Sequence, residues 1–232
     1  MTAANPVSES GQVISVNLAH LMPTPGPPPN GPVDRKPTQT GIDKRPVTEP
    51  VAVRRLGLAG DSICDTANHG GPDQAVYAYA ESDTAWWQAE LADELSFPLR
   101  PGSLGENLTL RGVELTHAVI GERWRIGSVV LQVTAPRIPC STFAAYWNVD
   151  RLAKRFIEAG RPGAYLRVLT EGELRVGDPV TVLDRPPHGM TIRQTLQTLT
   201  GDRRLAPELL AVPELPQRVH DRLGKWLAAS PR

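Results

Sequence analysis

Short β-branched runs cut off by glycine at close intervals constrain this chain more than any other feature. Val113 to Val119, Arg123 to Ile126, Ser128 to Thr134, Ala164 to Leu169 and Pro179 to Leu183 all have strand character, and Gly112, Gly121, Gly127, Gly172 and Gly177 punctuate them. Strands so short and so close in sequence leave exposed edges unless their sheet closes, so the spacing predicts a closed or nearly closed barrel. Twenty glycines and 23 prolines among 232 residues suit the tight turns such a barrel needs. Val13 to Leu18, Val51 to Val53 and Ala75 to Tyr79 extend the set of strands.

Helices interrupt this pattern twice. Glu81 to Leu95 opens with N-cap candidates and repeats Trp87, Leu91 and Leu95 every fourth residue. A second helix is expected from Asp150 as N-cap to Gly160 as stop, placing Leu152 with Phe156 and Ala153 with Ile157. The composition changes at Asp184-Arg185-Pro186-Pro187-His188-Gly189, after which Thr191-Ile192-Arg193-Gln194 reads as a capping box. Its helix carries Ile192, Leu196 and Leu199 and stops at Gly201. A short helix over 207–211 and a last one over 216–229 complete a three-helix set. The resulting organisation is a flexible tail over 1–10, a barrel domain over 11–184 and a helical module over 188–232. That module is too short for an independent core and is expected to lean on the barrel or on another chain.

Charge excludes some functions. The 25 basic and 25 acidic residues cancel, so no global field points to nucleic acid or an anionic membrane surface. Cys64 and Cys140 are the only cysteines, the first residues are polar, and no apolar run is long enough to cross a bilayer. A cytoplasmic protein is expected. Met22 to Pro32, rich in proline, can be neither helix nor central strand and reads as a surface loop.

Candidate chemistry gathers at four loops. Cys140 follows the strand over 128–134, and Pro136 and Pro139 are expected to stop that strand and hold the sulfur on a stiff rim. Arg137, three residues earlier, favours the thiolate, the form that attacks carbon or binds a metal; the alternative is a small buried residue. In His69-Gly70-Gly71 the glycines let backbone N–H groups approach an oxyanion, and His69 can move a proton near neutral pH. Lys44 and Arg45 offer adjacent cations for an anion, the alternative being a solvated turn. Glu106 and Asn107 present acceptors and donors suited to the edge of a polar heterocycle, or else a structural turn.

Together these stretches resemble one family, the MOSC domain, named for the C-terminal domain of molybdenum cofactor sulfurases. The resemblance lies in Asp43-Lys44-Arg45-Pro46-Val47, Asn68-His69-Gly70-Gly71-Pro72-Asp73-Gln74-Ala75-Val76-Tyr77, Gly105-Glu106-Asn107-Leu108 and Pro136-Arg137-Ile138-Pro139-Cys140. These occur in the family's order and span most of residues 11–184. The chain is most similar to short stand-alone bacterial members that act on N-hydroxylated compounds, and the segment after His188 resembles the three-helix module that follows their barrel.

The resemblance implies a mainly β fold, a MOSC-type β-barrel with peripheral helices and a small C-terminal three-helix appendage. It also implies a molybdenum–molybdopterin cofactor, with Cys140 as metal ligand and Lys44, Arg45, Gly70, Gly71, Asp73, Asn107 and Arg137 around it. Cys140 and His69 become the catalytic candidates, His69 as proton donor. The implied reaction is two-electron reduction of an N–O bond in a hydroxylaminopurine or amidoxime, a detoxification. The resemblance also implies a separate flavin or iron–sulfur reductase as electron-donating partner, since members of this group do not supply their own electrons; the sequence shows no flavin fingerprint and no cysteine cluster of its own. Leu104, Ile138 and Ser141 depart from the family pattern and bear on substrate choice. Two other roles stay open: a persulfide on Cys140 that carries sulfur, and a non-enzymatic molybdopterin carrier. The helical module could serve a homodimer or dock the reductase, and Cys64 is expected to be incidental.

Overall fold

The computed structural model describes residues 10–26 and 37–229. The tail expected over 1–10 lies outside the described residues apart from Ser10, as does the proline-rich loop from residue 27 onward. Thirteen strands follow in order: β1 (Ser10–Ala19), β2 (Met22–Pro23), β3 (Gln39–Thr40), β4 (Lys44–Val47), β5 (Val51–Arg54), β6 (Gly57–Leu58), β7 (Val76–Ala80), β8 (Leu108–Arg111), β9 (Arg123–Ile126), β10 (Val129–Pro136), β11 (Ala164–Thr170), β12 (Gly172–Leu174) and β13 (Pro179–Asp184).

Seven of them close a barrel in the order β1-β8-β7-β11-β10-β9-β13, and β13 returns to β1 through Gly11 opposite Val180. Every neighbouring pair is antiparallel except β7 and β8. β1 can serve both ends because it is long and irregular. Its first half pairs with β13, its second half with β4, and a register shift between Val13 and Ser15 bends it between the two. Closure satisfies the edges, and the inward side chains, among them Trp124, Leu131, Val133, Leu166 and Val180, form one buried cluster.

Among the described residues six helices surround the barrel: α1 (Glu81–Glu90), α2 (Ser141–Trp147), α3 (Leu152–Ala159), α4 (Ile192–Thr200), α5 (Ala206–Leu210) and α6 (Gln217–Ala229). Helices α1 to α3 enclose a second, aromatic core. There Trp87 stacks on Phe156 at 5.7 Å and Phe143 meets Trp147 at 5.1 Å and Phe156 at 5.1 Å. The α4–α6 helices do not make a core of their own. Ile192, Leu199, Leu209 and Leu223 join the barrel's cluster.

Several local expectations are corrected. Val113 to Val119 is not a strand: Leu115–His117 makes a 3-10 turn that buries Leu115 and Ala118, and Val119 makes a single bridge to Thr191. β10 does not stop before Pro136. It ends on that residue, opposite Ala164, just past a register shift between Val133 and Ala135, an irregularity of the kind where a strand tolerates a missing N–H. α1 ends at Glu90, and its N-cap is Ala80 without a side-chain cap, because Asp83 is buried against Arg161 instead. α3 is preceded by Arg151 in a left-handed conformation, φ 49°, so Asp150 does not cap it, whereas Gly160 ends it as expected. α2, directly after Cys140, was not anticipated.

The capping box of α4 is formed as read from the sequence. Thr191 Oγ1 accepts from the Gln194 N–H at 3.2 Å, and Gln194 Oε1 accepts from the Thr191 N–H at 2.9 Å. Thr191→Ala is expected to cost about 1 kcal/mol, seen as a lower urea midpoint with an unchanged slope.

Candidate functional site at the barrel mouth

The site lies on the seam between the two cores. β10 runs out of the barrel into Pro136-Arg137-Ile138-Pro139, and the chain then turns into α2 with Cys140 at the N-cap, φ −105° and ψ 167°. Phe143, Trp147 and Phe156 lock α2 from behind, and Trp147 Nε1 donates to the Ser103 carbonyl at 3.1 Å. The sulfur therefore sits at a helix N-terminus on a packed element, where N–H groups and the helix dipole favour an anion.

Arg137 is buried at 5 % exposure. Its Nη1 donates to the Leu104 carbonyl at 2.7 Å, and its guanidinium lies over the rings of Phe143 at 4.8 Å and Tyr77 at 5.1 Å. Gly105 permits this approach. Its φ is +78°, and a side chain there would meet Arg137 Nη1 at 3.1 Å. Burial opposes the charge on Arg137, but Tyr165, Tyr77 and Cys140 hold its pKa above the usual value.

For Cys140 the opposing effects resolve toward the thiolate. Burial pushes the thiol up, but hydrogen bonding to His69, the Arg137 charge and the Phe143 N–H outweigh it, and the pKa falls from the usual 9 to about 6. His69 is delivered by a turn in which its own N–H bonds the Asp65 carbonyl at 3.0 Å and Asn68 Nδ2 bonds the Asp65 carboxylate at 3.0 Å.

These groups face a cleft with about 770 Å3 of space including its open mouth, lined by Lys44, Asp61, His69, Gly70, Asn107, Arg137 and Cys140, among others. Gln74 contributes an orphan: its Oε1 is buried, has no hydrogen-bond partner and belongs to the cleft wall.

The residues singled out from sequence divide accordingly. Cys140, Arg137, His69, Gly70, Lys44 and Asn107 are brought together. Lys44 is not in a solvated turn. It is buried, with Nζ 2.5 and 2.6 Å from the two oxygens of Asp61, and burial holds its pKa below the usual value although Asp61 opposes that. Arg45 alternates to the opposite face of β4, is exposed, and bonds Asp43 at 3.1 Å. Gly71 adopts φ 78° beside the cleft but does not line it. Asp73 points away to Arg167 at 2.6 Å.

Asn107 has both amide hydrogens and one lone pair of its oxygen engaged within the protein. Its Oδ1 accepts from the Tyr77 N–H at 3.1 Å, and its Nδ2 donates to Asp61 at 2.8 Å and to the Asn17 carbonyl at 3.3 Å. Glu106 is sealed beneath the site, accepting from the N–H of Gly102 at 2.7 Å, the N–H of Leu104 at 3.1 Å and Thr109 Oγ1 at 2.8 Å. Burial raises its pKa against those bonds. Asp61, Gln74, Tyr77 and Tyr165 were missed from sequence. Gln74 and Tyr77 lie in the stretch over 68–77 already singled out, whereas nothing local marks Asp61 as the partner of a lysine 17 positions earlier.

A closed barrel that gathers a cysteine, a buried guanidinium and a histidine on one cleft at its mouth defines the class of fold and site. The chain belongs to the MOSC domain family, whose profile matches residues 65–181. It is 35% identical to the uncharacterized protein YflK of Bacillus subtilis, over 80% of this chain and 79% of that protein. It is 32% identical over 63% of its length to a Gibberella moniliformis protein named Reductase, of which it spans only 26%. The crystal structure of YiiM from Geobacillus stearothermophilus superposes with a TM-score of 0.74 at 26% identity, covering 93% of this chain and 98% of that one. The family is associated with molybdenum cofactor binding and includes molybdenum-related reductases.

In a Cys64→Ser background, alkylation of Cys140 by iodoacetamide is expected to rise with pH through a midpoint near 6, and His69→Ala is expected to move that midpoint up toward an ordinary thiol. A wild-type midpoint at the ordinary thiol value would contradict the electrostatics described. Asp61→Ala leaves Lys44 buried without its partner and is expected to cost about 3 kcal/mol in urea unfolding.

Proposed function

We propose that the protein reduces the N–O bond of small N-hydroxylated compounds, of the hydroxylaminopurine or amidoxime type, with a molybdenum–molybdopterin cofactor held at Cys140. The observation that carries this reading is the placement of Cys140 beside His69 and the buried Arg137 on one open cleft, an arrangement that favours the thiolate. A thiolate is the soft donor that a thiophilic metal selects.

The residues fit the cofactor on structural grounds. Gln74 Oε1 is a buried acceptor awaiting a donor such as a pterin N–H, Gly70 brings backbone close to the cleft, and Arg137 places a positive charge beside the sulfur. When bound, the cofactor supplies the two-electron redox chemistry. The chain's own groups do the rest. Cys140 anchors, Arg137 keeps the sulfur ionised, the Lys44–Asp61–Asn107 group holds the wall in place, and His69 holds a proton next to the reacting centre. Cleavage of R–NH–OH takes two electrons and two protons and releases R–NH2 and water. The electrons come from a separate flavin or iron–sulfur reductase. Both cysteines are free, which fits a reducing cytoplasm.

The test is molybdenum and pterin content, by elemental analysis and pterin fluorescence, of wild type and Cys140→Ala from cofactor-replete cells. Near-stoichiometric molybdenum is expected in wild type. Its loss in the variant should accompany a fall in amidoxime reduction of about a hundredfold or more. Absence of both molybdenum and pterin from wild type would overturn the reading.

A further inference from the structure

A second cavity opens where α6 meets the barrel mouth. It shares His69, Gln74 and Tyr165 with the Cys140 cleft and adds Ile138, Arg218 and Arg222. The two arginines are four residues apart on α6, so they stand on one helix face above the site. No carboxylate lines this cavity among the described residues.

Several other arginines are matched by carboxylates: Arg100 meets Asp43, Arg161 meets Asp83 and Arg167 meets Asp73. Arg218 and Arg222 have no carboxylate partner among the described residues. Arg218 reaches only the Asn68 carbonyl, at 3.5 Å, and Arg222 donates to the Leu199 carbonyl at 2.8 Å while lying over the Trp226 ring at 4.4 Å. Arg203 packs on the same ring at 4.5 Å and adds a like charge nearby. Burial and that neighbour both hold the Arg222 pKa below the usual value. An anion in the cavity would relieve the repulsion and desolvation together. The Cys140 cleft contrasts with it. Among the described residues lining that cleft, the lysine and arginine cations are Lys44, which faces Asp61, and Arg137, whose charge supports the sulfur.

We propose that this cavity is an anion subsite, in which Arg218 and Arg222 hold a carboxylate or phosphate carried by the substrate while its opposite end reaches the Cys140 cleft past His69. The substrate class narrows to N-hydroxylated compounds that bear an anionic group at the end away from the N–O bond. The narrowing rests on the reduction proposed above; the anion subsite itself does not.

Two measurements separate them. Calorimetric titration with inorganic phosphate reads the subsite without chemistry. Wild type is expected to bind saturably, Arg218→Gln about tenfold more weakly, and Arg218→Lys to recover most of the loss. Arg218 makes one long contact, so its variants should fold, which circular dichroism checks. No saturable binding, or binding unaffected by Arg218→Gln, would overturn the subsite. Phosphate binding present in protein from cofactor-deficient cells but absent from the cofactor-loaded protein would assign the anion to the cofactor and overturn the substrate assignment. The second measurement compares KM for benzamidoxime and 4-carboxybenzamidoxime. About a tenfold preference for the carboxylated compound is expected, lost in Arg218→Gln and restored in Arg218→Lys. Equal KM values in wild type would overturn the substrate class. Phosphate binding together with no reduction of either compound would leave the subsite standing and remove the reductase reading.

Discussion

A single carboxylate, Asp61, holds the barrel mouth together. One of its oxygens accepts from the Ala19 N–H at the end of β1 at 2.8 Å, both face Lys44 Nζ at the start of β4, and one accepts from Asn107 just before β8 at 2.8 Å. Asn107 in turn bonds the Tyr77 and Asn17 backbones, where the parallel pair β7 and β8 meets β1. Three chain segments far apart in sequence thus converge on one partly buried carboxylate. A carboxylate largely withdrawn from water needs donors for its lone pairs, and here four donor contacts supply them. The wall of the cleft owes its shape to that requirement.

The reactive end of the cleft is built on a different balance. Cys140 lies where the aliphatic barrel core gives way to the aromatic core around Phe143 and Trp147. Burial alone would leave an inert thiol. Arg137, His69 and the first turn of α2 reverse that outcome, and they can because α2 is locked by aromatic packing while Gly105 lets the guanidinium approach without a clash. The chain's zero net charge conceals this local field, since the charges inside the site are matched to one another rather than to solvent.

Much of the site was legible in sequence because loops that bind small ligands use residues with narrow roles. Cys140, Arg137, His69 and Gly70 were recognisable by type and spacing, and they do meet. Arg45, Gly71 and Asp73 stood in equally suggestive contexts and face elsewhere. Strand alternation put Arg45 on the outer side of β4, and the ion pair with Arg167 drew Asp73 away. The α2 helix escaped notice because its apolar positions, Phe143, Ala144 and Trp147, follow two prolines that look like the approach to a loop. Asp150 was a plausible cap and is not one, because the left-handed Arg151 already turns the chain into α3.

By itself the sequence determined what local chemistry controls: strand segments bounded by glycine, the capping box at Thr191, the stops at Gly160 and Gly201, and a thiol with an arginine three residues away. The tertiary structure decided what depends on contacts distant along the chain. Barrel closure through Gly11 and Val180, the pairing of Lys44 with Asp61, and the placement of Arg218 and Arg222 beside His69 all join segments between 17 and 169 residues apart. Periodicity and capping are properties of a few neighbouring residues, whereas a buried charge finds its partner only when the whole sheet has brought the two together.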